Sequence, residues 1–369
     1  MLSRLRLHLA RFDWLLLLAA GVLIIIGITT IWSVALARDP GNSGTVIKQG
    51  VAAGLGLALM IMLAASNYRL LKNYRWVIFI IALALLAAVL FFGQTVRGTT
   101  GWLRAWGWNF QPVEFAKFAL VVFLAGFLSD HPRAAFGRRE FLISSSLVAV
   151  AVILVLWEPD FGSALILLAL WIGLLFFARI RKRFLLFTVG GLALAAVAAW
   201  IFFAPYQRER IMTFFDPGRD PLGRGYNVTQ ALVAVGAGES WGRGLGFGSQ
   251  SQLRFLPESQ TDFIFAVIAE EFGLVGVTVV LLFFGLLFWR MLLVARTATD
   301  DFSSFLTLGI LLIFTIQTLI NIGMNLGLLP VTGITLPLLS YGGSSLLMLL
   351  IMIGVVQSIA VRRPLVGKI

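Results

Sequence analysis

Cysteine is absent from the 369 residues, and histidine occurs only at His8 and His131. Disulfides, thiolate metal sites and cysteine nucleophiles are therefore excluded. Charge is scarce too: 12% of residues are charged and 59% are hydrophobic, against about 25% charged in soluble proteins. A soluble fold is excluded, and residues 1–369 read as a single polytopic membrane domain of the all-α class. The charge that remains is mostly basic, 29 Lys and Arg against 17 Asp and Glu, for a net +12. Such an excess suits nucleic acid, but in a membrane chain it belongs to cytoplasmic loops and anionic headgroups. The partner it implies is the membrane, with no nucleic acid.

A helix crosses the hydrocarbon core with about 20 apolar residues. Runs of that kind begin at Phe12, Ile47, Trp76, Gln111, Phe141, Phe161, Phe184, Phe263, Phe305 and Ser344, which predicts ten transmembrane helices. The first run is too long for a signal-peptide core, and no small-residue cleavage pattern follows it. Between the fifth and sixth, Glu158-Pro159-Asp160 predicts a tight turn, since Pro159 and two acids end a helix at the membrane surface. Alternate connections are rich in Arg and Lys: Arg69, Lys72 and Arg75; Arg133, Arg138 and Arg139; Arg179 to Arg183; Arg290 and Arg296. Both ends of the chain are basic as well. Counting short loops places all of these, and both termini, on the cytoplasmic side of the membrane, and requires an even number of spans.

One loop on the opposite, extracytoplasmic side is far longer than the usual 4–6 residues. It spans residues 204–261, between the seventh and eighth spans. Its aromatic residues, Tyr206, Phe214, Phe215, Tyr226, Trp241, Phe247 and Phe255 among them, argue for order, and Gln230–Ala237 could form a helix. Its glycine-rich run, Gly236 to Gly248, lacks the Gly-Lys-Ser/Thr of a Walker loop. Tight turns and close backbone approach are the better reading of those glycines.

Charges at this side need partners or uses. Glu114 and Lys117 share a helix face, either as a structural ion pair or as part of a site. Asp160 sits in the short turn. Asp262 opens the eighth span, as an N-cap, as a reactive carboxylate, or as both. Glu270 and Glu271 follow about 12 Å along the same helix, pointing about 100° apart. Arg208 and Arg210 could take pyrophosphate oxygens or pair with acids of their own loop. Both histidines lie on the cytoplasmic side, so a base at an outer site must be a carboxylate. This inventory suits a substrate with an apolar tail and a phosphate-rich head. Spacing alone does not choose between an enzyme that acts on it and a transporter that moves it.

Several motifs carry a resemblance. They are Gln111-Pro112-Val113-Glu114-Phe115-Ala116-Lys117, Asp216-Pro217 with Asp220-Pro221-Leu222-Gly223, Gln250 to Glu258, Thr261-Asp262-Phe263-Ile264-Phe265-Ala266, Glu270-Glu271-Phe272-Gly273, and Pro337 to Ser344. Over essentially its whole length the chain resembles the SEDS family (shape, elongation, division and sporulation), most closely its elongation branch. It departs where the family often has Gln-Pro-Asp-Leu-Gly-Thr, here Glu158 to Ser163, and where Gly101-Trp102 stands for Arg-Trp. The resemblance implies an inverting peptidoglycan glycosyltransferase that polymerises lipid II and releases undecaprenyl pyrophosphate. It also implies a class B penicillin-binding protein as partner within the elongation machinery, and that the membrane is the bacterial cytoplasmic (inner) membrane. The family's essential aspartate matches Asp262, implying a general base, with Glu270 or Glu271 near enough to raise its pKa. Lys117, held by Glu114, would steady the leaving pyrophosphate, with Gln111, Asp160, Arg208, Arg210 and Ser344 in support. No cofactor is evident; a divalent cation on the pyrophosphate is compatible, though no metal-ligand spacing is visible. The competing reading is a lipid II flippase, for which the sequence offers no polar path to the inner face.

Overall fold

The computed structural model describes residues 11–38, 44–96, 99–105, 108–132, 135–184, 186–191, 194, 212–214, 216 and 224–363. In lipid, every backbone N–H and C=O needs a partner within its own segment, so long apolar runs become helices. In chain order these are α1 (Trp14–Arg38), α2 (Gly44–Ala65), α3 (Arg69–Asn73), α4 (Arg75–Phe92), α5 (Pro112–Asp130), α6 (Arg138–Trp157) and α7 (Phe161–Phe177). After the long loop begins come α8 (Arg224–Ala237), α9 (Ser249–Gln252), α10 (Ile264–Arg296), α11 (Asp301–Asn325) and α12 (Gly343–Arg362). Eight of these, α1, α2, α4, α5, α6, α10, α11 and α12, are long and apolar enough to cross a membrane, and α7 is a shorter apolar helix. The expected seventh span, from Phe184, is described only in helical pieces at 182–184, 186–191 and 194, and the rest lies outside the described residues.

Helix α5 is buried on nearly every side, as is α12. These two form the centre of the bundle. Phe91 and Phe92 of α4, and Leu282 and Trp289 of α10, point outward, as lipid-facing side chains do. At one end of the bundle, ion pairs join the helices. Buried Asp13 accepts from Arg290 Nε at 2.9 Å and Nη2 at 2.6 Å. Its N–H donates to Gln357 Oε1 at 3.0 Å, and Gln357 Nε2 donates back to its carbonyl at 2.9 Å. The first and last described turns thus share one end, as an even span count requires.

The opposite end holds an element that the helical patterning did not foretell. Strands β1 (Gln94–Val96), β2 (Thr99–Ala105) and β3 (Trp108–Phe110) form an antiparallel sheet in that order. Leu103 faces Phe110 and Arg104 faces Asn109 across it. The Glu158-Pro159-Asp160 turn does separate two helices, α6 and α7, as expected.

Helix α10 is 33 residues long, about 50 Å at 1.5 Å per residue, which exceeds a bilayer core of about 30 Å. It is broken at Gly273 (φ 63°, ψ −163°). The break frees backbone groups that lipid could not satisfy, and the glycine-rich run of the long loop satisfies them. Arg243 N–H donates to Glu270 O at 2.9 Å and Gly244 N–H to Glu271 O at 3.0 Å. In return, Leu274 N–H donates to Glu239 O at 2.9 Å and Val275 N–H to Ser240 O at 3.2 Å. Backbone meets backbone here, so a Cβ at Gly242 would strike the Glu271 carbonyl and one at Gly238 the Ala269 carbonyl. The glycines serve close approach, and what approaches is the broken helix.

Candidate functional site

Asp262 lies half-buried in a turn just before α10. The N-cap position falls on Phe263, which makes no side-chain capping bond, so the N-cap reading of Asp262 is corrected. The turn is held by its main chain. The N–H groups of Thr261, Asp262 and Phe263 all donate to Glu258 O, at 3.1, 3.1 and 3.3 Å. Asn321 and Asn325 of α11 donate to Asp262 O, at 2.9 and 3.0 Å. Ser340 Oγ donates to Thr261 O at 2.6 Å, and Tyr341 N–H to Gln260 O at 2.8 Å. Buried Gln49 braces that second loop, donating to Ser340 O and accepting from Gly342 N–H, each at 3.1 Å. Both loops contain a non-glycine residue in the left-handed region, Glu258 (φ 52°) and Leu338 (φ 65°). Such strain persists only where surrounding contacts over-determine the backbone. Gly333 lies across from the carboxylate: a Cβ built there would stand 3.7 Å from Asp262 Oδ2.

Lys117 Nζ donates to Glu114 Oε1 at 2.7 Å, with both side chains buried on α5. Gln111 precedes that helix, and its N–H donates to Ser344 Oγ at 3.4 Å, while Ser344 Oγ donates to Asn109 O at 2.8 Å. Ser344 therefore joins the sheet and α5 to the loop that grips the Asp262 turn. Asp160 is the N-cap of α7, accepting from Ser163 N–H at 2.9 Å and Ser163 Oγ at 2.8 Å.

Glu270 and Glu271 take different partners, as their angular separation on a helix requires. Glu270 accepts from Gln250 N–H at 2.8 Å, Ser251 N–H at 3.2 Å and Ser249 Oγ at 3.3 Å, so it anchors the start of α9. Glu271 accepts from Ser33 Oγ at 2.6 Å, Gln252 Nε2 at 3.1 Å and Gly246 N–H at 3.2 Å. Both acids are buried and hold the loop. Arg208 and Arg210 lie outside the described residues. Among the described residues no three His, Asp or Glu side chains gather as metal ligands.

Glu158 reads in the sequence as a turn residue. It is fully buried, neither carboxylate oxygen has a hydrogen-bond partner, and a Cβ at Gly101 of β2 would stand 3.1 Å from its Oε2. Burial, with a smaller contribution from the Asp160 charge, pushes its carboxyl up to about 8 from 4.5. The folded chain then keeps a proton that the unfolded chain releases. Its stability falls as pH rises from about 4.5 to about 8 and levels off above, a loss of order 4 kcal/mol. Glu158→Gln has the same shape without the charge and is expected to abolish this slope. Melting in detergent should show the variant several degrees more stable than wild type at pH 8 and equal to it near pH 4.5; parallel curves would mean that Glu158 is solvated.

The residues missed by sequence reasoning are Asn321, Asn325, Ser340 and Gln49. Their signal was available as amides and a hydroxyl within or beside apolar helices, where polar groups need partners.

Residues 7–364 match the family of cell cycle proteins comprising FtsW, RodA and SpoVE. The chain belongs to this family. It is 38% identical to FtsW of Thiomicrospira cyclica, over 96% of this chain and 93% of the relative. It is 37% identical to the peptidoglycan glycosyltransferase MrdB of Escherichia coli K12, over 98% and 96%. To stage V sporulation protein E of Bacillus subtilis it is 36% identical, over 94% of each. Its fold is similar to a chain of a peptidoglycan synthase complex that coordinates polymerization and crosslinking (TM-score 0.81, 32% identity, 95% of this chain and 97% of that one). It is also similar to the rod shape determining protein RodA of Thermus thermophilus (TM-score 0.72, 29% identity, 95% and 97%). Membership agrees with the motif resemblance. The near-equal identities do not separate the elongation, division and sporulation branches.

Proposed function

We propose that this FtsW/RodA/SpoVE-family chain is a peptidoglycan glycosyltransferase that polymerises lipid II at the extracytoplasmic face of the bacterial cytoplasmic membrane, in cell elongation. The observation that carries the reading is the Asp262 turn. A half-buried carboxylate is gripped through its backbone by two loops and α11, which fixes where its side chain stands.

In this reading the acceptor is lipid II with a free GlcNAc 4-hydroxyl, and the donor is the growing strand linked through MurNAc C1 to undecaprenyl pyrophosphate. Asp262 takes the hydroxyl proton as O4 bonds to C1. The C1–O bond to pyrophosphate breaks with inversion, giving a β-1,4 link and free undecaprenyl pyrophosphate. An ordinary aspartate titrates near 3.9 and is a weak base, so positioning has to supply part of the rate. Lys117, fixed by Glu114, offers a positive charge for the leaving group. Gln111, Asp160 and Ser344 contribute to the substrate surface, with Glu270 supporting it through the loop, and the arginine chemistry of Arg208 and Arg210 suits pyrophosphate oxygens. A divalent cation carried by the pyrophosphate is compatible with this chemistry, and a chelator titration tests it. A class B penicillin-binding protein is the proposed partner, a reading supported by the similarity to the synthase complex.

The test supplies purified protein and its transpeptidase partner with fluorescent lipid II, in detergent and in liposomes. Glycan polymer with released undecaprenyl pyrophosphate is expected. Lipid II translocated across liposomes without polymer would overturn the proposal in favour of a flippase.

A further inference from the structure

Resting on that reading of Asp262, we propose that Asn321 and Asn325 are positioning residues, two buried carboxamides that open the first turn of α10 and aim the Asp262 carboxylate. In a helix that continued through this point, Ala266 N–H would donate to Asp262 O. Here a side chain bridges the two groups. Ala266 N–H donates to Asn325 Oδ1 at 3.1 Å, and Asn325 Nδ2 donates to Asp262 O at 3.0 Å. A carboxamide accepts through its oxygen and donates through its nitrogen at once, which lets one side chain take both places. The inserted amide holds residue 262 off the helix axis, which accounts for the N-cap position falling on Phe263.

Asn321, one turn earlier on α11, does a second job. Its Nδ2 donates to Asp262 O at 2.9 Å and to Ile334 O at 2.8 Å. Ile334 follows Gly333, the residue facing Asp262 Oδ2. One amide therefore ties the backbone on the carboxylate's side to the backbone on the opposite wall. The two asparagines also brace each other, as Asn325 Nδ2 donates to Asn321 O at 2.8 Å. Both are fully buried. Neither reaches the reacting atoms except through Asp262, so they act on the geometry of the base and not on substrate binding.

That division fixes the test. Asn321→Ser shortens the bridge and leaves the Asn325 insertion in place; Asn325→Leu removes the insertion. With purified complex and lipid II, each variant is expected to lower kcat about 10- to 100-fold, the size of effect that an ångström of misplacement produces. KM for lipid II should stay within about twofold. Asn321→Gln, which keeps the amide on a longer stem, should recover part of the rate. The acid limb of the pH–rate profile should move in Asn325→Leu, because the surroundings of the base change. Wild-type kcat in both variants would overturn the inference, and so would a fall that tracks the melting temperature and is shared by KM. If Asn325→Leu does not fold, the Ser and Gln variants at 321 decide by the same criteria. Absence of polymer from the wild-type complex would be a different result, since it removes the glycosyltransferase reading itself.

Discussion

Asp262→Asn is expected to make no glycan strand from lipid II while melting at the wild-type temperature. The second half of that expectation comes from how the turn is held. Its bonds to Glu258, Asn321 and Asn325 run through main-chain atoms of Thr261, Asp262 and Phe263, which the substitution does not touch. Asparagine also keeps the volume facing Gly333. The first half follows from chemistry, because an amide cannot accept the hydroxyl proton. Removing a general base costs about 10²- to 10⁴-fold, and more where the carboxylate also stabilises charge in the transition state. Gel analysis of polymer from fluorescent lipid II, run beside a thermal melt, checks both halves. Polymer at the wild-type rate would remove Asp262 from the mechanism. A collapsed melting temperature would make it a structural residue.

Lys117→Met should be damaging twice over, and a second substitution separates the two effects. Lys117 and Glu114 are buried together at 2.7 Å. Removing the ammonium strands a carboxylate among apolar side chains, which costs about 3–5 kcal/mol. Adding Glu114→Gln takes that stranded charge away, and exchanging a buried pair for neutral groups is often close to neutral for stability. Lys117→Met/Glu114→Gln is therefore expected to recover most of the melting temperature. Polymer formation should not recover with it, because the positive charge meant for the pyrophosphate is still missing. Activity returning with stability would make the pair a structural ion pair and nothing more.

Eight of the spans and the shorter apolar helix α7, the turn at Glu158 to Asp160 and the close-approach role of the glycine run were legible because each rests on local patterning. Apolar runs of about 20 residues, a proline between two acids, and glycines at short intervals need no knowledge of the rest of the chain. The sheet at Gln94 to Phe110 was not legible. Its strands are as short as three residues, and an apolar background hides any period of two. The roles of Glu270 and Glu271 were hidden for another reason: their partners are backbone N–H groups and polar side chains some twenty residues or more away, at positions that spacing does not disclose. Asn321 and Asn325 stand at i and i+4 in an apolar helix, uncharged and without a motif that marks their partner. Only the folded chain puts them against Asp262. Asp262 stands out in the sequence through its motif, whereas the contacts that hold its turn depend on chain segments far apart in sequence.

The break at Gly273 bears on how the chain is made. Unbroken, α10 could enter a bilayer as a finished helix, but as built its upper part is incomplete without residues 239–244. Those residues precede the helix in the chain, so they are synthesised first and can be waiting when residue 273 arrives. The order of segments along the polypeptide therefore matches the order of assembly. Moving the glycine run to the far side of α10 would leave the carbonyls of Glu270 and Glu271 facing hydrocarbon during insertion, at several kcal/mol each.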